Sequence, residues 1–261
     1  MKIHQIRNAT LKLTYCDKVF LIDPWLMPKG AFGTFQMLPL YRCPDPAMET
    51  IPMPMCDLPM SVEEVLDGVD AYIITHVHPD HIDMSLDGIV GTSLDKSVTT
   101  FVQNESDCAV MQQNGFKDVR VLTQETQFDG VSLCKTEGLH GTIKPCGDSC
   151  GVVFKADGEK VLYVAGDTVW FEGVEKALVK HAPDVIIVNA CAATLIDEGR
   201  LIMDVGDIEK VRQEAPDAVI VASHMDTVPH ATLTRKTLQE ALAKRAVQDV
   251  IIVKDNETLS F

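Results

Sequence analysis

The sequence predicts a layered α/β fold, and three observations carry that reading. Apolar strands alternate with helices through the C-terminal half, the pattern of a sheet with helices packed on it. A composition of 46% hydrophobic and 23% charged residues is that of a chain that buries a core and is not disordered. The length of 261 residues suggests two domains by a simple length rule, yet one large α/β domain also accommodates it.

Taken in order, residues 10–15 alternate as a strand, 16–18 turn, and 19–22 form a buried run ending at Asp23-Pro24. Residues 24–60 then hold eight of the 13 prolines and six of the 11 methionines, with no sustained period. Proline removes ladder donors and fixes φ, so this segment reads as a long, semi-rigid loop. Flexible methionines with Trp25, Phe32, Phe35 and Tyr41 suit an adaptable apolar lid; a surface excursion or a contact in a homo-oligomer explains the segment equally well. Ser61 and Glu64 make a capping box for a short helix ahead of an apolar strand at 69–75.

Further strands fall at 97–102, 119–122 and 131–134, with a helix over 105–114 closed by Gly115. Residues 152–154 and 161–165 form a hairpin about 156–159. Helices near 172–181, 207–214 and 234–246 then lead into strands at 185–188, 218–222 and 250–253. Residues 18–25 and 160–170 echo each other. Each runs from a turn lysine through an apolar strand to an aspartate and a tryptophan, as two similar sheet halves would produce.

The formal charge of −15 repels phosphate backbones and anionic headgroups, which argues against nucleic acid and membrane surfaces as partners. No apolar run approaches the ~20 residues that span a bilayer, and residues 1–7 lack the apolar run of a signal peptide. A cytoplasmic protein is expected, and in a reducing compartment its eight cysteines are expected to be free thiols. Cys146 and Cys150, the one tight pair, have a spacing that fits neither a redox CxxC motif nor a zinc knuckle.

The segment that carries chemistry is Thr75-His76-Val77-His78-Pro79-Asp80-His81, directly after an apolar strand. In an extended segment residues two apart share a side, so His76 and His78 are expected to reach one ion together. Pro79 then turns the chain so that Asp80 and His81 face a second position. The HxHxDH pattern resembles the signature of the metallo-β-lactamase superfamily. That resemblance implies a four-layer αββα sandwich over residues 1–261, with up to two metals at one edge. His140, Asp167 and His224 follow strands and are similar, in order, to the family's third histidine, bridging carboxylate and last ligand.

By that resemblance one metal would take His76, His78 and His140, the other Asp80, His81 and His224, with Asp167 between them. Zn²⁺ is the first expectation for both ions, and the carboxylate share also permits Mn²⁺ or Fe²⁺. The implied reaction is hydrolysis by a metal-bound hydroxide of a lactone, cyclic ester or phosphate ester, a small and possibly anionic molecule, with Asp80 as the catalytic carboxylate. Asp23 is similar to the family's N-terminal supporting aspartate. The run from His224 to Pro229, with Arg7-Asn8-Ala9-Thr10, resembles the branch containing L-ascorbate-6-phosphate lactonase, although Asn8 and Val228 replace that branch's histidine and phenylalanine. Thr168 and Trp170 are pocket or packing residues, and His230 is a substrate contact, a proton donor to a leaving group, or a solvent-facing loop histidine. A mononuclear iron oxidoreductase of the persulfide dioxygenase type, which would need only one ion, and a phosphodiesterase or nuclease remain the alternatives.

Overall fold

Strand periodicity explains the architecture of the computed structural model, which describes residues 1–261. The strands are β1 (Lys2–Arg7), β2 (Thr10–Tyr15), β3 (Lys18–Ile22), β4 (Ala71–Ile74), β5 (Thr99–Val102), β6 (Val119–Val121), β7 (Thr126–Phe128) and β8 (Val131–Glu137). They continue with β9 (Cys150–Lys155), β10 (Leu162–Val164), β11 (Val185–Asn189), β12 (Thr194–Leu195), β13 (Gly199–Arg200), β14 (Val219–Ser223), β15 (Val250–Ile252) and β16 (Glu257–Ser260). One seven-stranded sheet runs β16-β1-β2-β3-β4-β5-β6, the other β15-β14-β11-β10-β9-β8-β7, and β12 and β13 form a small separate ribbon.

Alternate residues of each strand belong to different cores. Phe20, Ile22, Ala71 and Ile73 meet Phe154, Leu162, Val185 and Ile187 in the layer between the sheets. On the outer face of the first sheet, Leu21, Tyr72 and Ile74 pack against Val65 of α1 (Val62–Leu66) and Met111 of α2 (Glu105–Gln113). Outside the second sheet, Tyr163, Ile186 and Val188 pack against Val174 of α3 (Glu172–His181), Ile208 of α4 (Val205–Glu214) and Leu238 of α5 (Arg235–Lys244). These three cores make the four layers of an αββα sandwich, as the sequence predicted.

The repeated Lys-to-Trp run has a structural counterpart. In the first sheet β1 to β3 pair antiparallel and β3 to β6 pair parallel. In the second, β8 to β10 pair antiparallel, and β10, β11, β14 and β15 pair parallel. Asp23 follows β3 and Asp167 follows β10, so both aspartates leave the strand at which each sheet changes from antiparallel to parallel.

Five strands were not anticipated: β1, β7, β12, β13 and β16. In β1 the buried set includes Gln5 and Arg7, so apolar periodicity is broken by polar side chains with internal partners. Strand β16 lies on the sheet edge with no apolar run, and β12 and β13 are two residues each. No helix is long and apolar enough to cross a membrane. All eight cysteines are free thiols.

Residues 24–60 are more ordered than a bare loop. Two single-turn 3-10 helices at Phe35–Met37 and Met48–Thr50 and one bridge between Gly33 and Met53 shape them. Trp25, Phe32, Phe35, Cys43 and Met53 are buried in the core outside the second sheet. The stems of the segment are fastened by Arg7, which is wholly buried. Its guanidinium donates to the carbonyls of Trp25 and Met27 at 2.9 Å each and of Cys56 at 3.1 Å. Leaving any of these carbonyls buried and unpaired would cost ~1–3 kcal/mol.

Candidate metal centre

β4 delivers the His-rich segment to one edge of the sandwich, and Asp23, at the end of the neighbouring β3, shapes it. The Asp23 carboxylate accepts the Thr75 amide and hydroxyl and pairs with His81 Nδ1, all at 2.8 Å. Here the structure corrects one expectation. Residues 76–81 are not extended: the His78 amide donates to the His76 carbonyl at 3.2 Å and the His81 amide to the His78 carbonyl at 3.0 Å. His76 and His78 still converge, with ring centroids 4.3 Å apart, because the chain turns and not because of strand alternation.

The other donors arrive one per strand end. His140 follows β8, and its Nδ1 lies 3.2 Å from the Leu201 carbonyl. Asp167 follows Gly166, whose φ of +66° and contact with the Cys150 carbonyl leave no space for a side chain. His224 follows β14 with a φ of 62°, and Asn8 and Asp23 are also left-handed, at 55° and 46°. Non-glycine residues held in that region are strained, and such strain collects at functional sites.

All seven predicted residues come together. His76, His78 and His140 form one donor group, Asp80, His81 and His224 another, and His76, His81 and Asp167 a third that joins them. Asp167 Oδ2 is 3.1 Å from His81 Nε2, 3.9 Å from His140 and 4.0 Å from His76 Nε2, and its Oδ1 is 3.9 Å from His224 Nε2. His224 Nε2 lies 3.4 Å from Asp80 Oδ2.

Chemistry of this donor set fits metal ions. Nε2 of His76 is buried without a hydrogen-bond partner and Nε2 of His81 faces only the Asp167 carboxylate at 3.1 Å, an arrangement that is costly unless a cation fills the coordination sphere. Burial, assisted by neighbouring histidines, keeps His76 and His140 below the ordinary histidine range and pushes His78 down to about 3, so all three are neutral and free to donate a lone pair. Burial opposes the charges on Asp80 and Asp167, but the surrounding histidines overcome it and hold both carboxylates ionised. At His81 burial is likewise outweighed, and Asp167 and Asp23 push it up to about 10. His224 is raised as well, against burial, by Asp167 and Cys191. A divalent cation bound there would take the place of those two protons.

The sequence from Phe20 to Met225 matches the Beta-lactamase superfamily domain over residues 20–225. The chain belongs to the metallo-β-lactamase superfamily. Within it, the chain is 42% identical to UPF0173 protein YddR of Bacillus subtilis (strain 168), over 100% of both chains. The crystal structure of a possible metal-dependent hydrolase from Veillonella parvula DSM 2008 is 37% identical, with a TM-score of 0.90, over 100% of this chain and 99% of that one. An isothiocyanate hydrolase from Delia radicum gut bacteria is 36% identical, with a TM-score of 0.88, over 100% of this chain and 99% of that one. The chain is therefore a metal-dependent hydrolase of the UPF0173 family, built on the metallo-β-lactamase fold.

Above the donors of this superfamily site lies a cavity open to solvent. Its floor is His78, Asp80, His140 and Asp167; its roof is Phe35, Leu38, Tyr41 and Met53 from residues 24–60; Leu195, Leu201, Cys146 and His230 complete the wall. The Pro/Met-rich segment thus covers the site, although Trp25 and Phe32 are core residues and not lining. Thr168 and Trp170 do not line the cavity. Thr168 Oγ1 accepts the Leu139 amide at 2.9 Å, and Trp170 packs against the helical core.

Several contacts to the donors were not anticipated. Asn189 Nδ2 donates to Asp167 Oδ1 at 2.6 Å, and Cys191 Sγ lies 3.6 Å from His224 Nδ1. Asn8 Nδ2 donates to the Asp80 carbonyl at 2.9 Å and stands 3.2 Å from His224 Nε2. Asn189 and Cys191 sit at and beyond the end of β11. Position at a strand end beside a donor strand was the one signal that could have found them.

Proposed function

We propose that His76, His78 and His140 hold one divalent cation and Asp80, His81 and His224 a second, with Asp167 between them, and that the enzyme hydrolyses a small, neutral, largely apolar electrophile. Zn²⁺ is the first choice of metal, and Mn²⁺ or Fe²⁺ suits the same nitrogen and oxygen donors. When bound, the cations supply an activated water and stabilise negative charge developing on the substrate. Asp80 reaches the cavity from the floor and is placed to orient that water.

The cavity lining carries the substrate reading: it contains no lysine or arginine. The bases nearby are already paired, Lys144 with Glu198 at 3.1 Å and Arg42 with Glu49 at 2.9 Å. A phosphate ester would find no fixed cation here beyond the metals, whereas an apolar tail would find Phe35, Leu38, Met53, Leu195 and Leu201. Isothiocyanates are the class this favours, and the 36% identity to an isothiocyanate hydrolase supports it. In that reaction the oxygen of water adds to the central carbon of R–N=C=S, the C=N π pair moves to nitrogen, and nitrogen takes one of the water's protons to give R–NH–C(=S)OH; C–N cleavage, with transfer of the remaining O–H proton to nitrogen, then releases R–NH₂ and carbonyl sulfide. Lactones and cyclic esters form a second reading, favoured by the lactonase-like residues from His224 to Pro229. A single-iron oxidoreductase is disfavoured because it would leave the Asp80, His81 and His224 group without a task.

Assays of benzyl isothiocyanate, an apolar γ-lactone and bis(4-nitrophenyl) phosphate test the proposal on protein purified without added metal. Turnover of the isothiocyanate is expected, lost on chelation and restored by Zn²⁺ or Mn²⁺. A faster phosphodiester reaction, turnover that survives metal removal, or oxygen uptake with a persulfide would overturn it.

A further inference from the structure

His230 lines the cavity but belongs to none of the three donor groups. Its side chain is buried, with the residue only 8% exposed, and its Nδ1 has no hydrogen-bond partner. The ring is nonetheless held in place. Phe35 of the roof packs edge-on against it, with centroids 5.1 Å apart and planes at 64°, and the His230 carbonyl accepts the Thr194 amide at 3.0 Å. Burial pushes the imidazole down to about 4, against Asp80 and Asp167, so at neutral pH it carries one N–H donor and one acceptor nitrogen.

Nδ1 is closed off, so Nε2, which has no partner within the protein either, is the nitrogen open to the cavity, and a braced polar ring with that unmet capacity is a poor packing choice unless a cavity occupant completes it. Outside the floor only Tyr41 and Cys146 of the lining carry a side-chain donor or acceptor, and neither hydrogen-bonds the His230 ring. The floor carboxylates and imidazoles are committed to the cations in the reading above, on which this step rests.

We infer that His230 is a substrate-contacting residue, whose neutral imidazole N–H hydrogen-bonds the heteroatom of a neutral substrate while the electrophilic carbon lies over the floor. No proton is transferred in this role. His230 orients the substrate and polarises it, and contact with Phe35 links that hydrogen bond to the roof.

His230→Phe removes the hydrogen bond and keeps an aromatic ring; His230→Gln keeps a donor and an acceptor. With benzyl isothiocyanate, His230→Phe is expected to raise KM about tenfold with a smaller change in kcat, and His230→Gln to return KM to within about threefold of the parent. Bound metal per chain stays unchanged in both. Independently of turnover, the ring ¹⁵N signal of His230 is expected to shift when the unreactive neutral amide N-benzylacetamide is titrated into the parent protein. A His230→Phe protein with parental KM and kcat, or a ring signal unmoved by saturating N-benzylacetamide, would refute the role. If His230→Phe does not fold, the NMR titration decides alone. If the parent fails to turn over benzyl isothiocyanate while N-benzylacetamide still moves the signal, the substrate reading falls and the role of His230 stands.

Discussion

The floor of the cavity draws seven donors from strand ends in both sheets, whereas its roof draws apolar side chains from one segment that adds no strand to either sheet. Floor donors are held from behind: His81 by Asp23, His140 by the Leu201 carbonyl, Asp167 by Asn189 and His224 by Cys191. Moving one of them means moving a sheet. The roof is fixed at its stems, through Arg7 and through Asp83, whose Oδ1 accepts the Leu26 amide at 2.5 Å, and between them by Phe32, Cys43 and Met53 in the core outside the second sheet. Between the stems, lining residues can change size without disturbing a strand. A rigid polar floor under an interchangeable apolar roof separates reactivity from selectivity, and substitutions on each side should therefore fail in different ways.

The largest effect is expected from His76→Ala combined with His78→Ala. Elemental analysis should find bound metal falling from about two ions per chain to about one, held by the intact Asp80, His81 and His224 group, and activity dropping at least ~100-fold, beyond what loss of a supporting residue does. A metal content that both substitutions leave at the parental level would remove His76 and His78 from the metal site.

Asp23→Asn comes next. It keeps the size of the side chain, but the amide cannot accept from Thr75 and from His81 together as the carboxylate does. Metal affinity measured by competition with a chelator should fall ~10–100-fold while the apolar roof is untouched. An unchanged affinity would show that the turn holds His81 without its aspartate.

Floor and roof also differed in how far the sequence disclosed them. His76, His78, Asp80 and His81 are legible because four donors crowd one short segment, yet strand alternation does not account for their convergence: a hydrogen-bonded turn brings His76 to His78. His140, Asp167 and His224 stand far apart in the chain, and only resemblance to a superfamily linked them, since nothing local says that three strand ends meet. Asn189 and Cys191 look like ordinary strand-end residues until the strands are aligned. In the roof, proline and methionine content marked residues 24–60 as a lid, but composition cannot separate Phe35 and Tyr41, which line the cavity, from Trp25 and Phe32, which the core claims. That distinction depends on tertiary packing alone.

The smallest predicted effect lies in the roof. Leu38→Ala removes apolar contact from the cavity without touching a donor, and losing roughly 40 Å² of buried substrate surface is worth ~1 kcal/mol, about fivefold in KM. The loss should appear with benzyl isothiocyanate and be absent with methyl isothiocyanate, whose short tail leaves the roof empty, and bound metal should stay at the parental level. Equal losses for the two substrates, or any loss of metal, would mean that Leu38 supports the floor. In that case the division between reactive floor and selective roof would not hold.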